Sequence, residues 1–343
     1  MAGPRLPSVD LLRGAAIVGM VLVNEPAVGP PYLYRQLTHA AWNGWTFADV
    51  VFPVFLFVMG VVTTGRAWAR RAVVLFALGV ALNALPLVLA GSGFGSLRVM
   101  GVLQRIAVAG ALASVVVRRV PRRLLLPVAA GMLLLTWAAL ATRPLTPSSN
   151  LPGLIDRHIF GIRHMYAAGH GGYDPEGLFG TVPAAAGVLI GAWAGDLLRS
   201  GHLQGAGHRL RLLAVGVAFV VGGQVWSEAL PINKRLWTPS FVVFMSGLAM
   251  IALAALTLVG ERATALRVIG ANPLVVYVGT EATGIALSAA HHAALPFTYW
   301  VWSRWLLHPF GGKPGNLVWS LGVLAVWWGV AGVMWRKRWY VRV

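Results

Sequence analysis

RAVVLFALGVALNALPLVLAG, residues 71–91, carries one charge, at its first position, and one other polar side chain, Asn83. An apolar run of this length reads as a helix crossing a bilayer, because a hydrocarbon core of about 30 Å takes about 20 helical residues. Nine further stretches of the same kind lie near 9–28, 45–64, 98–117, 124–142, 178–198, 210–230, 238–259, 265–290 and 317–336. Together they predict an all-α membrane protein of about ten transmembrane helices. The composition agrees: 57% of residues are hydrophobic and 11% charged, whereas a soluble domain carries roughly 25% charged residues. The shortfall runs along the whole chain, so residues 1–343 read as one polytopic domain. The first apolar stretch ends at Asn24 and Glu25 with no small-residue cleavage motif, which predicts a retained helix and not a signal peptide.

The formal net charge of +18, from 28 Lys and Arg against 10 Asp and Glu, would suggest nucleic acid in a soluble protein. Its distribution points elsewhere. With the N-terminus in the cytoplasm, eighteen basic residues fall in inside segments, among them Arg5, Arg66, Arg118, Arg119, Arg262 and Arg342. Nine fall outside, and Arg105 alone lies within a span. This is the positive-inside pattern, and it places both termini in the cytoplasm. The Arg clusters are short, flank helices and lack interleaved aromatics, so no nucleic-acid partner is expected; the partner is the lipid bilayer. Cysteine is absent, which excludes disulfides, thiolate metal sites and Cys nucleophiles. His291 and His292 are adjacent and not at i, i+4 spacing, so no metal is expected. GSGFG at 91–95 has no strand before it, as a dinucleotide fingerprint requires.

Histidines and acids run the other way, with seven of nine His and seven of ten acids at the outer face. The long connections 143–177 and 291–316 lie there too, and long loops carry function. The segment NEPAVGPPYLYRQLTHAAWNGWTFADVVFPVFLF, residues 24–57, gathers Asn24, Glu25, His39, Trp42, Asn43, Thr46 and Asp49 at the outer end of the first two spans. A carboxylate such as Asp49 at membrane depth is functional or paired, or else it is a charge favoured at a helix N-terminus. A neutral imidazole at His39 can take a proton from an amine or hydroxyl, or be acylated itself. Arg105, with Gln104 beside it, needs a carboxylate such as Asp49 or Glu281, a carbonyl cluster or a phosphate-bearing ligand. Asn272 and Pro273 interrupt the ninth span, where Asn272 is placed to partner a freed backbone carbonyl. Asp174 and Glu176 flank Pro175 at the start of the sixth span, where one at least suits the helix N-terminus. Lys234 and Arg235 lie outside the seventh span, beside Glu228.

The stretch LTHAAWNGWTFADVVFPVFLFVMG, residues 37–60, resembles the signature of the heparan-alpha-glucosaminide N-acetyltransferase family. SVDLLRGAAIVGMVLVN, ending at Asn24, is similar to the same family's opening helix. Further resemblances follow in order: RVMGVLQRIA at 98–107, YDPEGLFGTVPAAAGVLIGAWAG at 173–195, PINKRLWTPSFVVFMSG at 231–247 and GANPLVVYVGTEATG at 270–284.

This resemblance implies transfer of an acetyl group from cytosolic acetyl-CoA to a glucosamine-type amino sugar on the opposite face. His39 falls on the family's active-site His and Asn24 on the Asn closing its first helix; with Asp49 they form the expected catalytic group. His39 is favoured as general base, and Asn24 as a donor to the oxyanion. Arg105, Gln104, Asn272 and Ser246 are expected to line the path of the CoA pantetheine, and no metal takes part. Trp42, with Asn43, is placed to stack on the sugar. Glu281 lies in the outer half of its span, where the sugar would enter; Asp174 and Glu176 are placed to meet its cationic amine, and Lys234 an acidic group. A homodimer and a bacterial inner membrane are the expected setting. Two alternatives stand beside this reading. One is O-acylation of an envelope glycan; the other is transport along a path of Asp49, Arg105 and Glu281.

Overall fold

The computed structural model describes residues 7–63, 68–199, 206–259, 263–292 and 294–341. Of the basic residues assigned to the inner face, Arg5, Arg66, Arg262 and Arg342 lie outside the described residues. Of the described residues about 76% are helical. Its helices, in order, are α1 (Pro7–Asn24), α2 (Phe47–Val62), α3 (Trp68–Leu89), α4 (Val102–Arg119), α5 (Leu125–Leu140), α6 (Leu151–Phe160), α7 (Leu178–Arg199), α8 (Ala206–Trp226), α9 (Pro239–Val259), α10 (Thr264–Ala271), α11 (Pro273–Ala289), α12 (Phe297–Val301), α13 (Leu307–Phe310) and α14 (Gly312–Arg336).

A helix occupies each of the ten apolar stretches. Among the described residues seven are long and apolar enough to cross a membrane, while α2 and α11 are shorter apolar helices of 16 and 17 residues. The ninth stretch is not continuous. Asn272 ends α10, and Pro273 opens α11 at a position where its missing N–H costs nothing. The Asn272 side chain does not serve a freed helix carbonyl. It donates to the Trp339 carbonyl (2.9 Å) and accepts from the Val341 N–H (3.0 Å), which fastens the chain after α14 to the break.

The long connections are partly helical. The first holds α6; the second holds α12, α13 and a minimal hairpin pairing His291–His292 with Leu295–Pro296. They lie at the same end of the bundle as the α1–α2 connection, called here the site end.

At the centre stands α7, of whose apolar window 72% is buried within the protein, against 11% for α3. It packs on α2, α4, α5 and α9. Small residues allow this close approach: a Cβ on Gly60 of α2 would meet the Val188 carbonyl at 2.0 Å, and one on Gly191 of α7 would meet the Phe57 carbonyl at 2.1 Å. Two backbones locked this tightly fix the height and rotation of α2, and so of the carboxylate at its first turn.

Candidate functional site

Asp49 stands at the third position of α2 and is 1% exposed. Its Oδ2 accepts the N–H of Thr46 (3.0 Å), which precedes the helix, and the N–H of Ala40 (3.0 Å). The Thr46 hydroxyl reaches back to the Thr38 carbonyl at 2.6 Å. One carboxylate oxygen thus folds the connection 38–46 onto the start of α2, as an N3 acid does in a capping box. The other oxygen, Oδ1, lies 2.9 Å from Nδ1 of His39. An ionised carboxylate only accepts, so Nδ1 carries the proton and Nε2 the lone pair. The capping and the paired readings of Asp49 therefore both hold, one on each oxygen.

Lys234, in the connection before α9, completes the cluster. Its Nζ lies 3.7 Å from Asp49 Oδ1, 3.0 Å from His39 Nδ1 and 3.2 Å from Nε2. Since Nδ1 gives its proton to Asp49, Nε2 is the ring atom that can accept from the ammonium. Burial pulls the Lys234 amine below its ordinary value, although Asp49 and Glu176 oppose this. The segment is set by Asn233, which accepts from the Leu236 N–H (2.9 Å) and donates to Asn43 (3.1 Å). Asn43 is thus a link between the α1–α2 and α8–α9 connections. The Trp42 indole donates to the Leu145 carbonyl (2.7 Å), and its ring meets Tyr173 edge-on with centroids 5.1 Å apart. The Arg235 guanidinium lies over the other ring of this pair, 5.3 Å from the centroid of Tyr173.

A second network underlies the first. Arg98 donates to both oxygens of Asp174 and to Glu176 at 2.6 Å. Asp174 also accepts the N–H of Tyr166 and of Glu176, each at 2.9 Å. Burial acts to lower the Arg98 guanidinium, and the Glu176 and Asp174 charges outweigh it, so it ends raised. Glu176 is held below the usual carboxylate range, because Arg98 outweighs the opposing effect of burial. Placed to meet a cationic amine by sequence, Asp174 and Glu176 are instead neutralised from within. Nor is either one the cap of α7. That role belongs to Asp156 of α6, fully buried, whose Oδ1 accepts the Leu178 N–H at 2.9 Å. Burial pushes its carboxyl up to about 6.

Arg105 lies one turn into α4 and is fully buried. Its Nη2 donates to the Gly177 carbonyl (2.9 Å) and its guanidinium stacks over Trp237 at 4.6 Å, while Nε and Nη1 have no hydrogen-bond partner among the described residues. It pairs with neither Asp49 nor Glu281. Gln104 points elsewhere, since a Cβ on Gly79 of α3 would meet its Oε1 at 2.3 Å. Successive helical residues diverge in this way. Asn272 is fastened to the chain after α14 and Ser246 is buried in α9, and among the described residues no hydrogen bond links the four expected along the pantetheine path. Asp49, Arg105 and Glu281, the charges a transport path would align, also have separate partners.

A cavity of about 710 Å³ opens at the site end between α1, α3, α11 and α14. Asn24 lines it and donates to Glu281 at 2.6 Å. An amide has two N–H groups, so a second remains for a ligand. Glu25, Glu281, Ser288, His291 and Trp319 share the lining, and His39 does not. The expected catalytic trio is thus divided: His39 and Asp49 touch, and Asn24 belongs to the neighbouring cavity. Sequence reasoning missed the parts played by Arg98, Asp156, Tyr173 and Glu25. A signal existed for Arg98 and Tyr173, which open two of the motif blocks.

Fold and site together define a multi-pass helical membrane protein with a His–Asp–Lys cluster and a carboxylate-lined cavity at one end of its bundle. The chain belongs to the heparan-alpha-glucosaminide N-acetyltransferase family, whose catalytic profile matches residues 5–208. It is similar to heparan-alpha-glucosaminide N-acetyltransferase of Homo sapiens, with 26% identity over 411 aligned residues covering 98% of this chain and 59% of the relative. It is likewise similar to that of Mus musculus, with 26% identity over 415 residues covering 99% of this chain and 60% of the relative. The chain spans about three fifths of the length of these curated relatives.

Proposed function

We propose that the protein transfers an acetyl group from acetyl-CoA to the amine of a glucosamine-type sugar, within a membrane of ten crossings and with the site end facing out of the cell. The observation that carries this reading is the Asp49–His39 contact at 2.9 Å within a family of named N-acetyltransferases. The orientation rests on the basic residues at the opposite end, among them Arg118, Arg119, Arg336 and Lys337. A bacterial inner membrane and a homodimer complete the proposed setting.

In this mechanism Asp49 holds Nδ1–H and fixes the tautomer, leaving Nε2 to take the proton that the amine sheds on attacking the thioester carbon. The Lys234 ammonium must swing from Nε2 as the base engages, and its charge then faces the developing oxyanion. The free N–H of Asn24 is a further donor to that oxygen. The C–S bond breaks as the amide forms, and the thiolate leaves as CoA. The test is purified protein with labelled acetyl-CoA and glucosamine. The wild type yields labelled N-acetylglucosamine; His39→Ala, still folded, loses about 10²–10⁴ of the rate. Near-normal turnover by His39→Ala refutes the base assignment.

A further inference from the structure

Glu25 is the residue that the site's hydrogen bonding leaves over. It follows the last residue of α1 and is 6% exposed. Its backbone is fully engaged: the N–H goes to the Val21 carbonyl and the carbonyl accepts from Ser320. Its carboxylate has no hydrogen-bond or ion-pair partner among the described residues, yet it lines the 710 Å³ cavity. Gly284 of α11 makes room for it, since a Cβ there would stand 2.2 Å from Glu25 Oε2. Across the same cavity lies the Glu281 carboxylate, held by Asn24 at 2.6 Å. Two carboxylates therefore converge on one space with no Lys or Arg in its lining. Elsewhere at this end each buried acid has a cation or an N–H: Asp49 has Lys234, Asp174 and Glu176 have Arg98, and Asp156 has the Leu178 N–H.

Two buried carboxyl groups this close cannot both stay ionised without a cation: one takes up a proton, or a cation from outside answers the pair, and the cavity has room for that cation. The size and chemistry of the cavity select which one. Its volume suits a monosaccharide and not a bare ion. Its other polar groups, Asn24, Ser288 and His291, are hydrogen-bonding partners for hydroxyls, and Trp319 supplies a face for a ring.

We propose that Glu25, with Glu281 opposite, forms a subsite that captures the protonated primary amine of the acceptor sugar. The proposal deepens the reading of the protein as an amino-sugar acetyltransferase and rests on it for the identity of the ligand. One ammonium N–H points to each carboxylate. On transfer of one proton from the ammonium nitrogen to a Glu25 oxygen, the carboxylate becomes a carboxylic acid and the nitrogen lone pair is freed. Both groups then lose their charge, and the amine is the nucleophile that the thioester requires. After acetylation the neutral amide has no charge for the subsite to hold, and the product leaves.

The test measures binding apart from transfer. Glucosamine, N-acetylglucosamine and glucose are titrated calorimetrically into detergent-purified wild type, His39→Ala, Glu25→Gln and Glu25→Asp. Glucosamine binds wild type and His39→Ala alike. Glu25→Gln weakens it by about tenfold to a hundredfold, the scale of one charge-assisted hydrogen bond, and Glu25→Asp weakens it less. N-acetylglucosamine and glucose bind weakly to all four. In turnover, Glu25→Gln raises KM for glucosamine and also lowers kcat at saturating glucosamine, because the amide cannot accept the ammonium proton, with no loss of melting temperature. Equal glucosamine affinity in wild type and Glu25→Gln overturns the subsite, as does equal affinity for glucose and glucosamine. Transfer by wild type with no Glu25 dependence leaves the enzyme reading standing and removes the subsite. Glu25-dependent binding of glucosamine without acetyl transfer does the reverse.

Discussion

The two polar clusters at the site end differ in how their charges are answered. Around Asp49 every demand is met from within: two backbone N–H groups on one oxygen, His39 on the other, and Lys234 beside them. Around Glu25 the protein supplies a second carboxylate and an amide instead of a cation. The first arrangement holds a ring in one orientation, as proton transfer requires. The second carries the proposed capture of the acceptor amine. A satisfied network marks where geometry is stored.

Substitutions separate the two. The largest effect is expected from Asp49→Asn, which keeps the shape of the side chain but removes the charge that orients His39. Misplacing a base by about 1 Å costs on the order of 10²-fold in rate, so kcat falls by about that factor while glucosamine affinity stays within a few-fold. A matching loss of glucosamine affinity would merge the two clusters into one. Lys234→Met leaves Asp49 with its N–H partners but without a cation, and denaturation in detergent should show a loss of about 1–2 kcal/mol. Lys234→Arg restores the charge and is expected to recover stability better than rate, since a planar guanidinium cannot follow the ammonium's contacts with both ring nitrogens.

Asp156 is a smaller version of the same contrast, with one oxygen on the Leu178 N–H and the other without a partner among the described residues. Burial raises its carboxyl from 3.8 to about 6, so the folded protein holds this proton more tightly than the unfolded chain. Its contribution to stability is full below about pH 4 and is lost as the pH rises through about 6. Asp156→Asn cannot titrate. Relative to wild type it should gain roughly 1–3 kcal/mol between about pH 5 and pH 7.5, read from melting curves across that range; a constant difference would assign the proton elsewhere. The smallest effect is expected from Trp42→Phe, which loses the bond to the Leu145 carbonyl while keeping the contact with Tyr173. A loss of about 1 kcal/mol in stability, with unchanged binding of glucosamine, would fix Trp42 as a brace; a raised KM would make it a platform for the sugar.

Much of this was legible in the chain. The apolar runs fixed where helices form, because a 20-residue stretch without charge has few other ways to satisfy its backbone. The ladder of Arg residues indicated which helix ends share a side. The block from His39 to Asp49 marked residues that the structure brings into contact, since the capping geometry that joins Thr46 and Asp49 is local and its residues are three apart. Pro273 marked the break between α10 and α11.

What only the tertiary structure decided is the choice of partner. Asp174, Glu176 and Glu281 look alike in sequence, as acids placed to bind the sugar. Arg98, 76 residues before Asp174, neutralises the first pair, while the amide of Asn24, 257 residues before Glu281, holds the third. Lys234 reads as a loop cation until α7 brings α2 and α9 together and sets it against His39. Glu25 reads as the residue after a helix until α11 presents a glycine to its carboxylate. Local hydrogen bonding and hydropathy are short-ranged and are written in consecutive residues. Whether a buried charge is answered or left open depends on which helix packs beside it, and that is settled by the whole bundle.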